Sequence, residues 1–311
     1  MPPHALRTIS SRAVIGMFYE ELESNVLAWP NQIGMRFQSD QASETYPWLG
    51  NVPMLRQWKG RRQAKELAEF GITIPNLDFE ATTRFHVHDL DRDKTGQIRI
   101  RIGDLAARAN QHWGSLLSTL ILAAESQVCY DGQFFFDIDH VEGDSGTQSN
   151  DLTFDATTAT APTVAEFADA VLAAVQAFYG FKDDVGEPIN EGARSFIVMV
   201  PVPFWGVARQ ALTLEGIITP SGVKQNPLMA GDLSFELVAN PRLTWTTKFS
   251  LFRADGRLKP FILQEELDAQ MKAVAEGSEH EFFENEHVFG VNASRNVGFG
   301  KWQHAVLTTF T

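Results

Sequence analysis

The sequence predicts a mixed α+β fold in which helices and antiparallel strands interleave. Three observations carry that reading. Apolar residues recur at steps of three and four from Ile102 to Ala124, the pattern of one very long amphipathic helix. A second helical stretch, from Val164 to Phe178, carries its own start and stop signals. The last third of the chain turns to short apolar runs that read as strands, Phe235 to Val238, Leu243 to Phe252 and Phe261 to Leu263.

In chain order, Val14 to Leu27 forms a short amphipathic stretch. Turn-forming residues follow, Pro30-Asn31 and Ser39-Asp40-Gln41, and then the aromatic group Tyr46-Pro47-Trp48-Leu49-Gly50, so the first 50 residues read as an arm laid against something else. Arg56, Lys59, Arg61, Arg62 and Lys65 follow with no acid among them, a local basic patch that asks for an acidic counterpart. Gly71 to Pro75 and Glu80 to Val87 read as two extended pieces joined at Pro75-Asn76, together a long hairpin.

The long helix places Ile102, Leu105, Ala106, Ala109, Trp113, Leu116, Leu117, Leu120, Ile121 and Ala124 on one face. Gly114 weakens it by about 1 kcal/mol relative to alanine, which so long a packed stripe offsets. A polar loop from Glu142 to Asn150 leads to the second helix, where Thr163 and Glu166 form a capping box. Val164, Phe167, Ala168, Val171, Leu172, Val175 and Phe178 make its buried face, and Gly180 stands at the C-cap position. Ser195 to Val200 reads as a buried strand, Pro203 as the opening of a third helix through Leu214, and Asp255-Gly256 as a turn between strands. No internal repeat is present, which argues against solenoids and propellers.

Composition narrows the function. The chain has 311 residues, 44% of them hydrophobic, enough for a large core in one large or two ordinary domains. Its 39 acids outnumber 26 Lys and Arg for a formal charge of −13, which disfavours a bulk electrostatic grip on DNA or anionic lipid. The single cysteine, Cys129, excludes an intrachain disulfide and fits a reducing cytoplasm, and a small buried hydrophobe is its expected role. The N-terminus MPPHALRTIS lacks a signal-peptide core, and the apolar run Leu116 to Ala124 is far short of the roughly 20 residues that span a bilayer. The expectation is a soluble chain, neither exported nor inserted in a membrane, in which the acceptor triplet Asn292-Ala293-Ser294 is a chance match.

Several fragments imitate catalytic motifs. His86-Val87-His88, with Asp89, Asp91 and Asp93 behind it, offers metal-ligand types, and strand alternation would put both histidines on one side. Further ligands would have to come from Asp137, Asp139 or His140; the competing reading is a solvated strand end. Asp91, Asp93, Thr95 and Gly96 imitate the start of a calcium loop, but its twelfth position is Ile102 rather than a bidentate glutamate. Gly143-Asp144-Ser145-Gly146 echoes a serine-protease nucleophile segment and reads better as a surface turn. No phosphate-cradling glycine motif is present.

A charge asymmetry is more distinctive. Glu265, Glu266, Asp268, Glu276, Glu279, Glu281, Glu284 and Glu286 face only Lys272 as a counter-charge. A basic hairpin on one copy reaching Glu279, Glu281, Glu284 and Glu286 of the next would make a head-to-tail contact that closes into rings. The alternative is two oppositely charged, solvated faces of a monomer.

Four blocks then carry a resemblance. Glu44-Thr45-Tyr46-Pro47-Trp48-Leu49-Gly50 with Pro53-Met54-Leu55-Arg56-Gln57-Trp58-Lys59-Gly60 is the first. Cys129-Tyr130-Asp131-Gly132-Gln133-Phe134-Phe135-Phe136-Asp137-Ile138-Asp139-His140, Leu251-Phe252-Arg253-Ala254-Asp255-Gly256, and Asn296-Val297-Gly298-Phe299-Gly300-Lys301-Trp302-Gln303 are the others. In this order they resemble the major head subunits of phage Mu and its prophage relatives, across nearly the whole chain.

The resemblance implies the Hong Kong 97 type tailed-phage capsid fold: an N-terminal arm (1–50), an E-loop hairpin with flanks (51–90), a P-domain with the spine helix and second helix (91–180), an A-domain (181–245) and a return to the P-domain (246–311). It implies no enzymatic activity and no cofactor or metal, and a structural role for the aspartates and histidines of 86–93 and 137–140. The implied partners are copies of the chain itself, in pentamers and hexamers of an icosahedral shell that encloses double-stranded DNA without sequence-specific binding. A protease, a portal and a decoration protein complete the list, together with a scaffolding protein expected to be separate because the Tyr46 block arrives too early for a built-in scaffolding segment. Location would be the virion, after assembly in the bacterial cytoplasm and away from any membrane. Two rivals remain at this stage: an encapsulin-type compartment shell, and a metal-dependent hydrolase using His86, His88 and Asp139.

Overall fold

The computed structural model describes residues 9–24, 26–47, 71–92, 96–219, 222–229 and 231–311. The basic segment with Arg56, Lys59, Arg61, Arg62 and Lys65 lies outside them. In order the elements are α1 (Ser11–Ser24), α2 (Trp29–Ile33), β1 (Gly34–Gln38), β2 (Ser43–Tyr46), β3 (Ile72–Pro75), β4 (Leu77–His86), α3 (Val87–Arg92) and α4 (Gln97–Ala123). There follow β5 (Asp151–Phe154), α5 (Val164–Gly180), β6 (Ser195–Val200), α6 (Trp205–Ala211), β7 (Gly216–Thr219), β8 (Gly222–Gln225) and β9 (Ser234–Ala239). The chain ends with β10 (Lys248–Arg253), β11 (Phe261–Val274), α7 (Glu279–Glu284), β12 (Glu286–Phe299) and β13 (Ala305–Phe310).

Two mixed sheets organise these elements, one ordered β1-β11-β12-β4 and the other β5-β13-β10-β6-β9. The first is dominated by the antiparallel pairs β11–β12 and β12–β4, the latter in register from Leu77 opposite Arg295 to His86 opposite Glu286. Strands of 14 residues extend about 45 Å, so this ribbon outruns the core that covers its base. The burial pattern records the exit. Phe261 to Gln264 are all buried, whereas Glu266, Asp268, Gln270 and Lys272 point outward and alternate with buried Ala269 and Met271. Much of the acidic run is therefore the solvent face of a strand.

α4 spans 27 residues, about 40 Å, and buries Ile98, Ile102, Ala106, Trp113, Leu117 and Ile121. α1 lies against it through Val14 and Phe18, in a small core with Phe85, Leu90, Met271 and Phe289. The second sheet carries α5 and the larger core. Phe167 on α5 meets the rings of Phe249 and Phe310 at 4.8 and 5.9 Å. The capping box is formed in full, Thr163 Oγ1 accepting from Glu166 N and Glu166 accepting from Thr163 N.

Four expectations change. The Gly71 to Val87 hairpin does not form: β3 pairs with β2, and β4 pairs with β12. Only Asn76 separates them, too little chain to reverse direction. Instead Asn76 carries the backbone across, its N–H donating to Ala42 O and its side-chain amide to Ser39 Oγ and Gln41 O. The third helix begins as a 3-10 turn at Val202–Phe204 and stops at Ala211 rather than Leu214, because the Asn226 amide captures the Ala211 and Leu214 carbonyls. The strand expected from Leu243 starts at Lys248, after an Asn240 turn in which Leu243 N bonds Asn240 O. Gly180 is the last residue of α5, with Phe181 as the cap.

The layers also cross the segment boundaries of the chain. The five-stranded sheet draws on 151–154, 195–200, 234–239, 248–253 and 305–310, so β10 and β13 share it with β6 and β9.

Candidate assembly surfaces

Within the block from Cys129 to His140, Tyr130, Asp131 and His140 form a buried polar knot with the turn between β12 and β13. His140 Nδ1 lies 2.6 Å from Asp131 Oδ2, its Nε2 lies 3.2 Å from Asn150 Oδ1, and its ring stacks on Trp302 at 3.9 Å. Glu142 Oε1 accepts from Tyr130 OH at 2.5 Å, Gln303 Nε2 at 2.9 Å and Trp302 Nε1 at 3.2 Å. Lys301 sits over the Tyr130 ring at 5.1 Å, and burial holds its ammonium below the ordinary lysine range. Bonded to one another, these side chains tie the 130–142 segment to the turn that joins the two sheets.

The catalytic look-alikes dissolve for identifiable reasons. β4 ends at His86 and α3 begins at Val87, so the alternation that would align His86 with His88 is broken. His86 Nε2 lies 3.3 Å from Glu286 Oε1, whereas Asp139 sits in the loop after the Phe134-Phe135-Phe136 run, its carboxyl raised by a hydrogen bond with Asp137. Among the described residues no group of three or more His, Cys, Asp or Glu could hold a metal. Ile102 is wholly buried in α4, which removes the twelfth calcium-loop position. Ser145 Oγ accepts from Glu142 N and donates to Gly146 O in a turn where Gly143 and Gly146 take positive φ. Cys129 is buried, and that burial pushes its thiol well above the usual range.

The acidic end of the β11–β12 ribbon is the other marked surface. Ser278 Oγ caps α7 by accepting from Glu281 N at 3.1 Å, and Asn285 ends it in the left-handed region at φ 55°. Glu281 Oε1 lies 2.9 Å from His287 Nε2, a bond that holds the Glu281 carboxyl below its ordinary value. Glu286 stands 3.6 Å from Arg84 and 3.3 Å from His86. Glu281 and Glu286 are thus engaged within the chain, while Glu279 and Glu284 remain exposed. Between them Phe282 and Phe283 are 83% and 69% exposed, their rings edge to face at 5.2 Å. Charge counting passed over this pair, although two adjacent aromatics inside an acidic run are a legible signal for a contact surface.

A 110-residue stretch is 34% identical to the major capsid protein of Escherichia phage Mu, covering 35% of this chain and 36% of the relative. A 131-residue stretch is 31% identical to the Mu-like prophage FluMu major head subunit of Haemophilus influenzae, covering 40% and 42%. The alignments therefore span well under half of either curated relative. Among solved structures, the procapsid of bacteriophage JBD30 superposes with a TM-score of 0.56 at 22% identity, over 96% of this chain and 75% of that one. The fold is that of tailed-phage capsid subunits. The family described as Mu-like prophage major head subunit gpT matches residues 11–164 and 223–309, reaching both sheets, the spine-like α4 and the polar knot, and the chain belongs to that family.

Proposed function

We propose that this protein is the major capsid subunit of a Mu-like phage or prophage, building by self-association the icosahedral head that encloses double-stranded DNA. The observation that carries this is the family match over residues 11–164 and 223–309, which runs through both sheets rather than one motif. The role is structural, as in the family. The head is assembled from pentamers and hexamers in the bacterial cytoplasm, with a separate scaffolding protein and a protease, and is completed by a portal and a decoration protein. The four-stranded sheet with α4 serves as the P-domain, the segment 181–245 belongs to the A-domain, and residues 51–90 supply the E-loop and its flanks, of which β4 joins the P-domain sheet. Arg56, Lys59, Arg61, Arg62 and Lys65 meet the acidic surface of a neighbouring copy, on which Glu281 and Glu286 already have partners within their own chain. The net charge of −13 suits a container for DNA, since an acidic lining does not hold the genome.

The test is light scattering and negative-stain electron microscopy on the protein expressed alone and together with its scaffold, with bound metal quantified. Rings, tubes or shells are expected. A monomer in both samples, or one holding stoichiometric metal, would overturn the assignment.

A further inference from the structure

We propose that the Phe282-Phe283 knob of one copy docks into the gap between α4 and the β4–β12–β11 ribbon of a second copy, a contact that rests on the shell-forming role above. The gap has a volume of about 200 Å³. It exists because four alanines, Ala81, Ala109, Ala269 and Ala293, stand where helix and ribbon face one another, with Phe79 and Leu105 as apolar walls. Side chains that short leave a void that neither element fills. A cavity of roughly 150 Å³ with apolar walls admits a benzene ring, so this one takes a single phenyl group.

Charge matches at the rim. Arg108 and Arg242 border the gap and its polar extension, and among the described residues neither makes an ion pair. Glu279 and Glu284, which flank the two phenylalanines, are likewise unpaired among the described residues. Glu80 and Asp104 also stand at the rim, so Arg108, Arg242 and Arg295 leave the lining one positive charge in surplus to meet the acids beside the knob. The knob cannot fill its own chain's gap. α7 is held by the Ser278 cap and the Asn285 stop at the far end of the ribbon, and the five steps from Glu286 to Val291, the nearest gap-lining residue of β12, already span about 17 Å. Knob and gap are different patches of one surface, so the contact is heterologous and propagates from copy to copy.

The experiment is disulfide trapping in assembled particles. Phe282→Cys and Phe283→Cys are each combined with Ala109→Cys, while buried Cys129 stays out of the reaction. Mild oxidation is expected to give a ladder of covalently linked copies that neither single variant gives. In parallel, Phe282→Ser/Phe283→Ser and the gap-filling Ala109→Trp should each raise the concentration needed for assembly by about tenfold, with the circular dichroism of the subunit unchanged. Glu279→Arg/Glu284→Arg should assemble poorly and recover when combined with Arg108→Glu/Arg242→Glu. Particles that form normally with no ladder would overturn the docking and leave the shell assignment standing. Cross-linking of the knob to a scaffolding protein instead would overturn it as well. Absence of particles from the unaltered chain, with and without its scaffold, would count against the shell assignment itself.

Discussion

His304 makes the two-sheet joint sensitive to acid. It ends the 3-10 turn Trp302–His304, which links β12 of the four-stranded sheet to β13 of the five-stranded one, and it is 4% exposed. Burial is the main cause of its weak basicity, with Arg253, Lys301 and Lys259 adding repulsion, and together they lower its pKa from 6.5 to about 3. An unfolded chain takes up this proton as pH falls through 6.5, whereas the folded chain refuses it until about 3. The stability is therefore fully present above pH 6.5 and is lost progressively toward pH 3. At about pH 4.5 the deficit is two pH steps of about 1.4 kcal/mol, or about 3 kcal/mol. That is a large share of the roughly 5–15 kcal/mol that holds a typical domain folded.

Urea unfolding of the unassembled subunit at about pH 7.5 and about pH 4.5, for the unaltered chain and for His304→Gln, isolates this contribution. The substitution has its own packing cost, but glutamine does not titrate, so that cost is equal at both pH values. Every other titrating group acts on both proteins alike and cancels. The unaltered chain should lose about 3 kcal/mol more than the variant on acidification. Equal losses would refute the reasoning, because they would mean that His304 accepts its proton inside the folded protein.

Two further predictions follow from packing. A Cβ at position 298 would lie 2.7 Å from Ile74 Cγ1 and closer still to Ile74 Cδ1, so Gly298→Ala should destabilise by about 1–3 kcal/mol in thermal or urea unfolding. Ile74→Val removes the nearest atom, and the double variant should cost less than the sum of the two singles; strict additivity would place the clash elsewhere. Cys129 should resist thiol reagents at about pH 8 in the folded chain and react promptly in denaturant, since burial disfavours its thiolate. Labelling of the native protein at the rate of a free cysteine would contradict that placement.

Local rules reached far into this fold. α4 and α5 were legible because an apolar stripe at helical spacing, and a Thr163–Glu166 capping box, are satisfied within a few turns of chain. β6 was legible as a short buried run bounded by breakers. The four blocks, from the Tyr46 group to Asn296–Gln303, pointed to the family that the matches over 11–164 and 223–309 show. Pairing was not legible. That β3 would join β2 while β4 joins β12 follows from the single residue Asn76 and from a strand more than 200 positions away, and no local periodicity encodes a partner at that distance. The same holds for the sites. Residue types at His86, His88 and Asp139 suggested a cluster, but helix formation at Val87 and the stacking of His140 on Trp302 dispersed it. Glu279, Glu281, Glu284 and Glu286 were equal as letters, and only the fold divided them into two with partners and two facing solvent. Composition and short-range pattern determine which segments become helix or strand and which faces go inward. Distant residues meet through tertiary packing, which settles which charges remain free and leaves a gap where four alanines converge, because burial and pairing depend on neighbours in space and not in sequence.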